Sequence, residues 1–259
     1  MRVTILGSGS STGTPAIGAG FGRTDPGEAK NRRLRPSILV EGAGTRVLVD
    51  TSPDLRAQLL AADVAHLDAV LYTHAHADHL HGIDDLRAVN RTIGRALDIY
   101  ADRRTLDLIH RRFAYVFEPL QGDGGYFYKP VLIPHEIRAG ERFAIGGLAI
   151  DAIDQDHGFA PTLGFRFGRF AYSTDVVALD EAAFARLAGI DAWVIGTLGD
   201  RPHPTHCHVD KALAWIARVR PARAWLTHIG LDLDHARLAA RLPPGVAPAH
   251  DGLVIEVDD

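Results

Sequence analysis

The stretch Thr73-His74-Ala75-His76-Ala77-Asp78-His79-Leu80-His81-Gly82 places three imidazoles and a carboxylate between positions 74 and 79, directly after the apolar run Ala69-Val70-Leu71-Tyr72. Imidazole nitrogens and carboxylate oxygens are the donors that hold borderline divalent cations. Side chains alternate along an extended strand, so His74 and His76 share a side, and the turn that follows can aim Asp78 and His79 at a neighbouring point. Two adjacent metal positions result. A polar loop rich in His by chance does not account for the His and Asp residues that recur downstream at strand ends.

Such groups need a rigid frame, and the chain alternates short β-rich runs with amphipathic helices. Strands are expected over 2–6, 37–41, 46–50, 69–73, 97–101, 149–153, 163–167, 170–173, 192–195, 224–227 and 254–257. Helices are expected over 53–62, 80–92, 104–113, 181–187, 209–219 and 235–241. Pro53 suits a first helical turn, and Ile83 and Leu86 share a face of the helix after the His cluster. Two sheet layers with helices outside accommodate this order, an α/β class. No repeat, low-complexity tract or clear linker interrupts it, so one domain over 1–259 is expected.

Composition bounds the rest. With 259 residues, 46% hydrophobic and 23% charged, the chain can bury one large core. No apolar run approaches the length of a membrane helix and no Arg-led apolar signal opens the chain, so a cytoplasmic protein without membrane contact is expected. The single Cys207 excludes an intrachain disulfide and reads as a buried small hydrophobe. A net charge of -4 argues against a general nucleic-acid surface, although 30–35 (Lys30-Asn31-Arg32-Arg33-Leu34-Arg35) is locally basic and reads equally as a phosphate-attracting patch or a solvated turn. The loop Gly7-Ser8-Gly9-Ser10-Ser11-Thr12-Gly13-Thr14-Pro15 lacks both the P-loop ending and the dinucleotide glycine spacing, so a tight structural turn is expected there.

The pattern His74-x-His76-x-Asp78-His79 resembles the metallo-β-lactamase superfamily. That family adds a third His, a bridging Asp and a last His downstream, each past a core strand, and His157, Asp175 and His228 match. The opening Gly7 to Pro15 loop, the segment His206-Cys207-His208-Val209-Asp210-Lys211-Ala212-Leu213 and the segment Thr227-His228-Ile229 are similar to its PhnP-like branch of phosphoribosyl cyclic phosphate phosphodiesterases. The resemblance implies a four-layer αββα sandwich. It also implies one metal on His74, His76 and His157, another on Asp78, His79 and His228, and Asp175 between them. Two divalent ions are expected, Zn or Mn foremost, though Fe, Ni and Co suit the same donors. Two departures stand out. Residues 15–36 contain no Cys where several members of the branch hold a structural zinc, and Gly230-Leu231 stands where the branch usually has Ser-His.

A paired metal site of this kind favours hydrolysis of a phosphodiester by a hydroxide shared between the ions. His206 and Asp78 are the catalytic candidates, His206 as general acid, with His203 and His208 competing for that role. His208 also suits a helix N-cap, and Asp210 either orients His206 or sits in a favoured first turn. Asp50 is expected to accept from a ligand imidazole. His66, His110, His135, His235 and His250 read as surface or supporting residues, and 121–130, with its glycines, aromatics and Lys129, reads as a substrate lid or a surface turn. The expected substrate is a small cyclic or nucleotide-like phosphate ester, with nucleic acid disfavoured and a homodimer among the expectations. An RNA endonuclease similar to tRNase Z would want a long Gly-rich arm and a more basic face, and neither is found. A thioesterase, a lactamase or a non-hydrolytic metal sensor are the remaining readings.

Overall fold

The computed structural model describes residues 1–121 and 126–258. Among these, the first half supplies β1 (Arg2–Gly7), β2 (Ser37–Gly42), β3 (Thr45–Val49), β4 (Ala69–Leu71), β5 (Leu97–Ala101) and β6 (Leu132–Glu136). The second half supplies β7 (Arg142–Ile145), β8 (Leu148–Asp156), β9 (Pro161–Phe167), β10 (Phe170–Ser173), β11 (Ala192–Gly196), β12 (Arg223–Thr227), β13 (Val246–Pro248) and β14 (Val254–Glu256). The helices are α1 (Leu55–Ala61), α2 (Ala77–Leu80), α3 (Leu86–Ile93), α4 (Arg103–Phe113), α5 (Glu181–Leu187), α6 (Val209–Val219) and α7 (His235–Ala239). No described helix is long and apolar enough to cross a membrane.

The strands form two seven-stranded sheets, ordered β14-β1-β2-β3-β4-β5-β6 and β13-β12-β11-β10-β9-β8-β7. Period-two alternation decides what each strand faces. In β2 and β3, Ile38, Val40, Val47 and Val49 point into a core shared with Ile150, Phe165, Phe167, Phe170 and Tyr172 of the other sheet. The intervening Leu39 and Leu48 point outward onto Leu55 and Leu59 of α1 and Leu86 and Val89 of α3. The second sheet repeats the arrangement, with Ala171, Trp193 and Ile195 packed against Leu187 of α5 and Ile216 of α6. Strands covered on both faces must be apolar at nearly every position, and β11, Ala192-Trp193-Val194-Ile195-Gly196, is buried throughout. The result is the four-layer αββα sandwich that the resemblance implies.

Three strands escape the sequence reading, namely β6, β7 and β13, and all three lie at sheet edges. Edge strands carry a weaker apolar signal, and Pro134 and Pro248 sit where a central strand would need an amide hydrogen. The helix expected over 80–92 is instead broken into α2, a 3-10 turn over Ile83–Asp85, and α3. Gly82 makes the break: it passes so close to α1's approach that an added Cβ would lie 2.0 Å from the Ser52 carbonyl oxygen. The tight packing holds α2, with Asp78 and His79, against the end of β3.

Strand direction gathers the candidate residues on one rim. β3 and β4 run parallel, as do β10, β11 and β12. β8 and β10 are each antiparallel to β9 and therefore point the same way. Asp50, His74, His157, Asp175 and His228 follow the C-terminal ends of β3, β4, β8, β10 and β12. The amide of Leu163 in β9 donates to the Thr73 carbonyl at 2.9 Å, tying the two sheets together beside the His cluster.

Candidate metal centre

His74, His76, His157 and Asp175 bring one donor atom each within 4.8 Å of one another, and so do Asp78, His79 and His228. Asp175 is a member of the first group, forms a further one with His206 and His228, and faces both sides through different oxygens. Its Oδ2 faces His157 Nε2 at 3.4 Å and His74 Nε2 at 3.7 Å, while its Oδ1 faces His228 Nε2 at 3.1 Å and His79 Nε2 at 3.2 Å. Asp78 Oδ2 lies 3.4 Å from both His79 Nε2 and His228 Nε2. All of these side chains are buried except that of His76.

The far ring nitrogens show which tautomers are present. His79 Nδ1 donates to Asp50 Oδ2 at 2.7 Å, and His157 Nδ1 donates to the Thr205 carbonyl at 2.6 Å. Thr73 Oγ1 donates to Asp50 Oδ2 at 2.8 Å and so accepts from His74 Nδ1 at 3.0 Å. Each of the three rings therefore turns its Nε2 inward, the atom that a metal ligand must offer. Among the described residues, the Nε2 atoms of His74 and His79 are buried without a hydrogen-bond partner. Asp50 thus performs the supporting role expected of it, and the Thr73 hydroxyl and Thr205 carbonyl do the same work for His74 and His157. Arg112 of α4 braces the loop itself by donating to the Ala75 carbonyl at 2.5 Å. Thr205 and Arg112 carry no sequence signal, because both are distant in the chain from what they brace, whereas Thr73 is the direct neighbour of His74.

The electrostatics fit a cation. Burial opposes ionisation of Asp175, but the imidazoles of His228 and His79 outweigh it and hold the carboxyl well below its ordinary range. Asp78 is held low in the same way, chiefly by His79 and His228 against its burial. Burial would discharge His79, yet Asp78, Asp175 and Asp50 raise it well above its usual value. His74 is pushed far down by burial and then by His79, and His76 by burial and His157. Among the described residues no Lys or Arg pairs with Asp78 or Asp175, so buried carboxylates face imidazole nitrogens where a divalent cation would neutralise them and displace the proton of His79.

His206 joins this rim. Its ring stacks on His228 at 4.9 Å, touches His157 at 4.8 Å, and places Nδ1 3.9 Å from Asp175 Oδ2. Burial, then His228, lowers its pKa to about 3. His203 lies 5.2 Å from His206 and is exposed, with Nδ1 accepting from the Thr205 hydroxyl at 3.2 Å. His208 occupies the N-cap position of α6 but makes no side-chain capping bond. Asp210 lies exposed in the first turn of α6. Cys207 is fully buried, and burial pushes its thiol up to about 12, in keeping with a small hydrophobe.

Two other expectations change. The basic stretch 30–35 is a solvated turn only in part: Lys30 and Arg32 are exposed, but Arg33 is buried, with Nη2 donating to Asn31 Oδ1 and the Leu233 carbonyl, and Arg35 forms a two-pronged pair with Asp54. Of the lid expected over 121–130, positions 122–125 lie outside the described residues. Lys129, cast there as an anion contact, instead donates to the carbonyls of Tyr115 and Glu118.

The model of the beta-lactamase superfamily domain matches residues 45–229, which span the whole centre from Asp50 to His228. A crystal structure of a diphosphatase from the PhnP family superposes with a TM-score of 0.90 at 33% identity, covering 99% of this chain and 98% of that one. The chain belongs to the metallo-β-lactamase superfamily, in its PhnP-like family. Among curated proteins, an octanoyltransferase of Porphyromonas gingivalis is 33% identical over all of this chain and 52% of its own length. A ribonuclease Z of Bradyrhizobium is 32% identical over 52% of this chain and 44% of its own length. The chain thus spans about half the length of these two curated relatives.

Proposed function

We propose that the protein is a metal-dependent phosphodiesterase that cleaves a small cyclic or nucleotide-like phosphate ester. The observation that carries this reading is Asp175, whose two oxygens face two separate imidazole groups, with His206 beside them. His74, His76 and His157 would hold one divalent ion and Asp78, His79 and His228 the other, with Asp175 shared. Zn and Mn both suit these donors. Two such ions supply an acidified water and a clamp for the attacking and leaving oxygens at phosphorus.

The chain's own residues do the rest. Asp50, Thr73 and Thr205 hold the ligand rings in one tautomer and one orientation. His206 protonates the departing oxygen. With its pKa lowered to about 3 it is neutral in the free protein, and an anionic phosphate seated against it favours the protonated form. Acyl transfer through a thiolate finds no support, because Cys207 is buried with its thiol protonated.

A second reading is favoured by the PhnP-family diphosphatase, which matches this chain end to end at 33% identity. Cleavage of a phosphoanhydride would use the same groups, with less need of an acid because phosphate is a better leaving group than an alkoxide. The test is a panel of ribose cyclic phosphates, linear phosphodiesters and nucleoside diphosphates, offered to Zn- and Mn-loaded protein and to a chelated control, with products followed by phosphorus NMR. Metal-dependent opening of a cyclic or linear diester supports the first reading. Turnover of diphosphates alone moves the assignment to the second, and silence throughout overturns both.

A further inference from the structure

We propose that the groove between α1 and α3, on the outer face of the first sheet, docks an acidic amphipathic helix of a partner protein. The proposal stands apart from the metal centre and does not depend on the hydrolase reading. A cavity of about 350 Å³ lies between the two helices, with Leu59, Val64 and Val89 among the residues of its wall. Leu59 and Val89 are buried and belong to the core beneath, so the floor is rigid as well as apolar. Leu60 stands on the lip, 65% exposed.

Helical spacing builds both walls. Arg56, Leu59 and Leu60 of α1 are related as i, i+3 and i+4, and so are Ala88, Arg91 and Thr92 of α3, which turns one stripe of each helix toward the groove. Beyond its end the Arg91 guanidinium lies 4.5 Å over the ring of Tyr126, which is 64% exposed and extends the apolar surface.

The rim is cationic. Arg56, Arg87 and Arg91 line the groove against one carboxylate, Asp85. None of the three arginines is in an ion pair among the described residues; Arg91 Nε donates to the Phe127 carbonyl at 2.7 Å. The surrounding layer has the same sign, since α1, α3 and α4 together carry seven arginines and a single acid, Asp107, in a chain whose net charge is -4.

A concave apolar floor with a cationic rim is the complement of a helix whose apolar stripe is flanked by Asp and Glu. An RNA backbone or a bilayer surface would meet the arginines without reaching a floor recessed between two helices. Pairing of the groove with its own copy about a two-fold axis would set arginine against arginine. In one curated relative the region similar to this chain is 52% of the polypeptide, so the fold there is joined to a comparable length of further protein.

The test uses the metal-loaded full chain and a fluorescein-labelled stapled helix of about sixteen residues, with Leu at i, i+3, i+4 and i+7 and Glu at the flanking positions. Its twin carries Lys at each Glu. Fluorescence anisotropy should show binding of the Glu helix in the micromolar range, and binding at least about tenfold weaker for the Lys twin. Leu60→Asp and Arg87→Glu should each weaken the Glu helix about tenfold. The chain with both Arg56→Glu and Arg87→Glu should prefer the Lys twin, a reversal that a misfolded variant does not give. Metal count and melting temperature should stay at the wild-type values, because Arg56, Leu60 and Arg87 are exposed. Equal binding of the two helices, or of neither, overturns the proposal. So does Arg87-dependent binding of a single-stranded RNA oligonucleotide or of phosphatidylglycerol vesicles that is tighter than that of the Glu helix, or self-association of the chain that Leu60→Asp abolishes.

Discussion

Asp50 and His79 are both fully buried, and the carboxylate of one accepts Nδ1–H of the other at 2.7 Å. The Asp50 backbone is left-handed, with φ of 65°, and this turn at the end of β3 points its side chain at the His cluster. Two further non-glycine residues of the centre, Asp175 and His228, share that conformation with φ of 47° and 56°. Strained backbone of this kind persists where the surroundings over-determine it.

Replacing Asp50 by Ala should lower metal affinity at the His79 position roughly 10- to 100-fold, because the ring loses the acceptor that orients it and makes its Nε2 more basic. Competition with a fluorescent chelator measures this. Affinity equal to the wild type would show that His79 does not ligate.

Asp175→Ala should reduce bound metal from about two equivalents toward about one, since the single carboxylate serves both groups of donors. Elemental analysis after dialysis gives the count. Two retained ions with full activity would break the shared-ligand arrangement.

His206→Ala should leave the metal count intact and cut turnover of an alkoxide-leaving diester by about 10²- to 10⁴-fold. A leaving group that needs no proton, such as nitrophenolate, should recover most of the loss. Equal losses on both substrates would assign His206 to positioning rather than to proton transfer.

His235 supplies a pH dependence that is independent of the metals. It is buried, its Nδ1 has no hydrogen-bond partner among the described residues, and burial followed by Lys30 and His250 lowers its pKa to about 4. An unfolded imidazole takes up a proton below its ordinary value of 6.5, whereas the folded one does so only near 4. The unfolded chain therefore binds more protons in that window, and stability falls as the pH drops through it. In chelated protein the urea midpoint should decline more steeply with acid for the wild type than for His235→Leu. Parallel curves would show that His235 already carries its proton in the fold.

The chemistry of this protein was legible in local order because its donors are concentrated. His74, His76, Asp78 and His79 fall within one strand end and one turn, and the spacing alone implies two adjacent metal positions. Central strands such as β5 and β10 and helices such as α5 and α6 were readable to the residue, since burial on both faces or on one stripe imposes a strong apolar period. Edge strands β6, β7 and β13 were not, because an edge is half solvated and tolerates proline. Position 33 shows the limit from the other side: a run of cations reads as surface, yet Arg33 is buried beneath the loop by Asn31 and the Leu233 carbonyl, partners two and two hundred residues away. Tertiary structure alone decided that Asp175 turns one oxygen to each imidazole group and that Thr205 and Arg112 brace the ligand loops. Residue type and spacing specify which donors are present. Which of them meet depends on strand direction, register and the packing of two sheets, and those are properties of the whole chain.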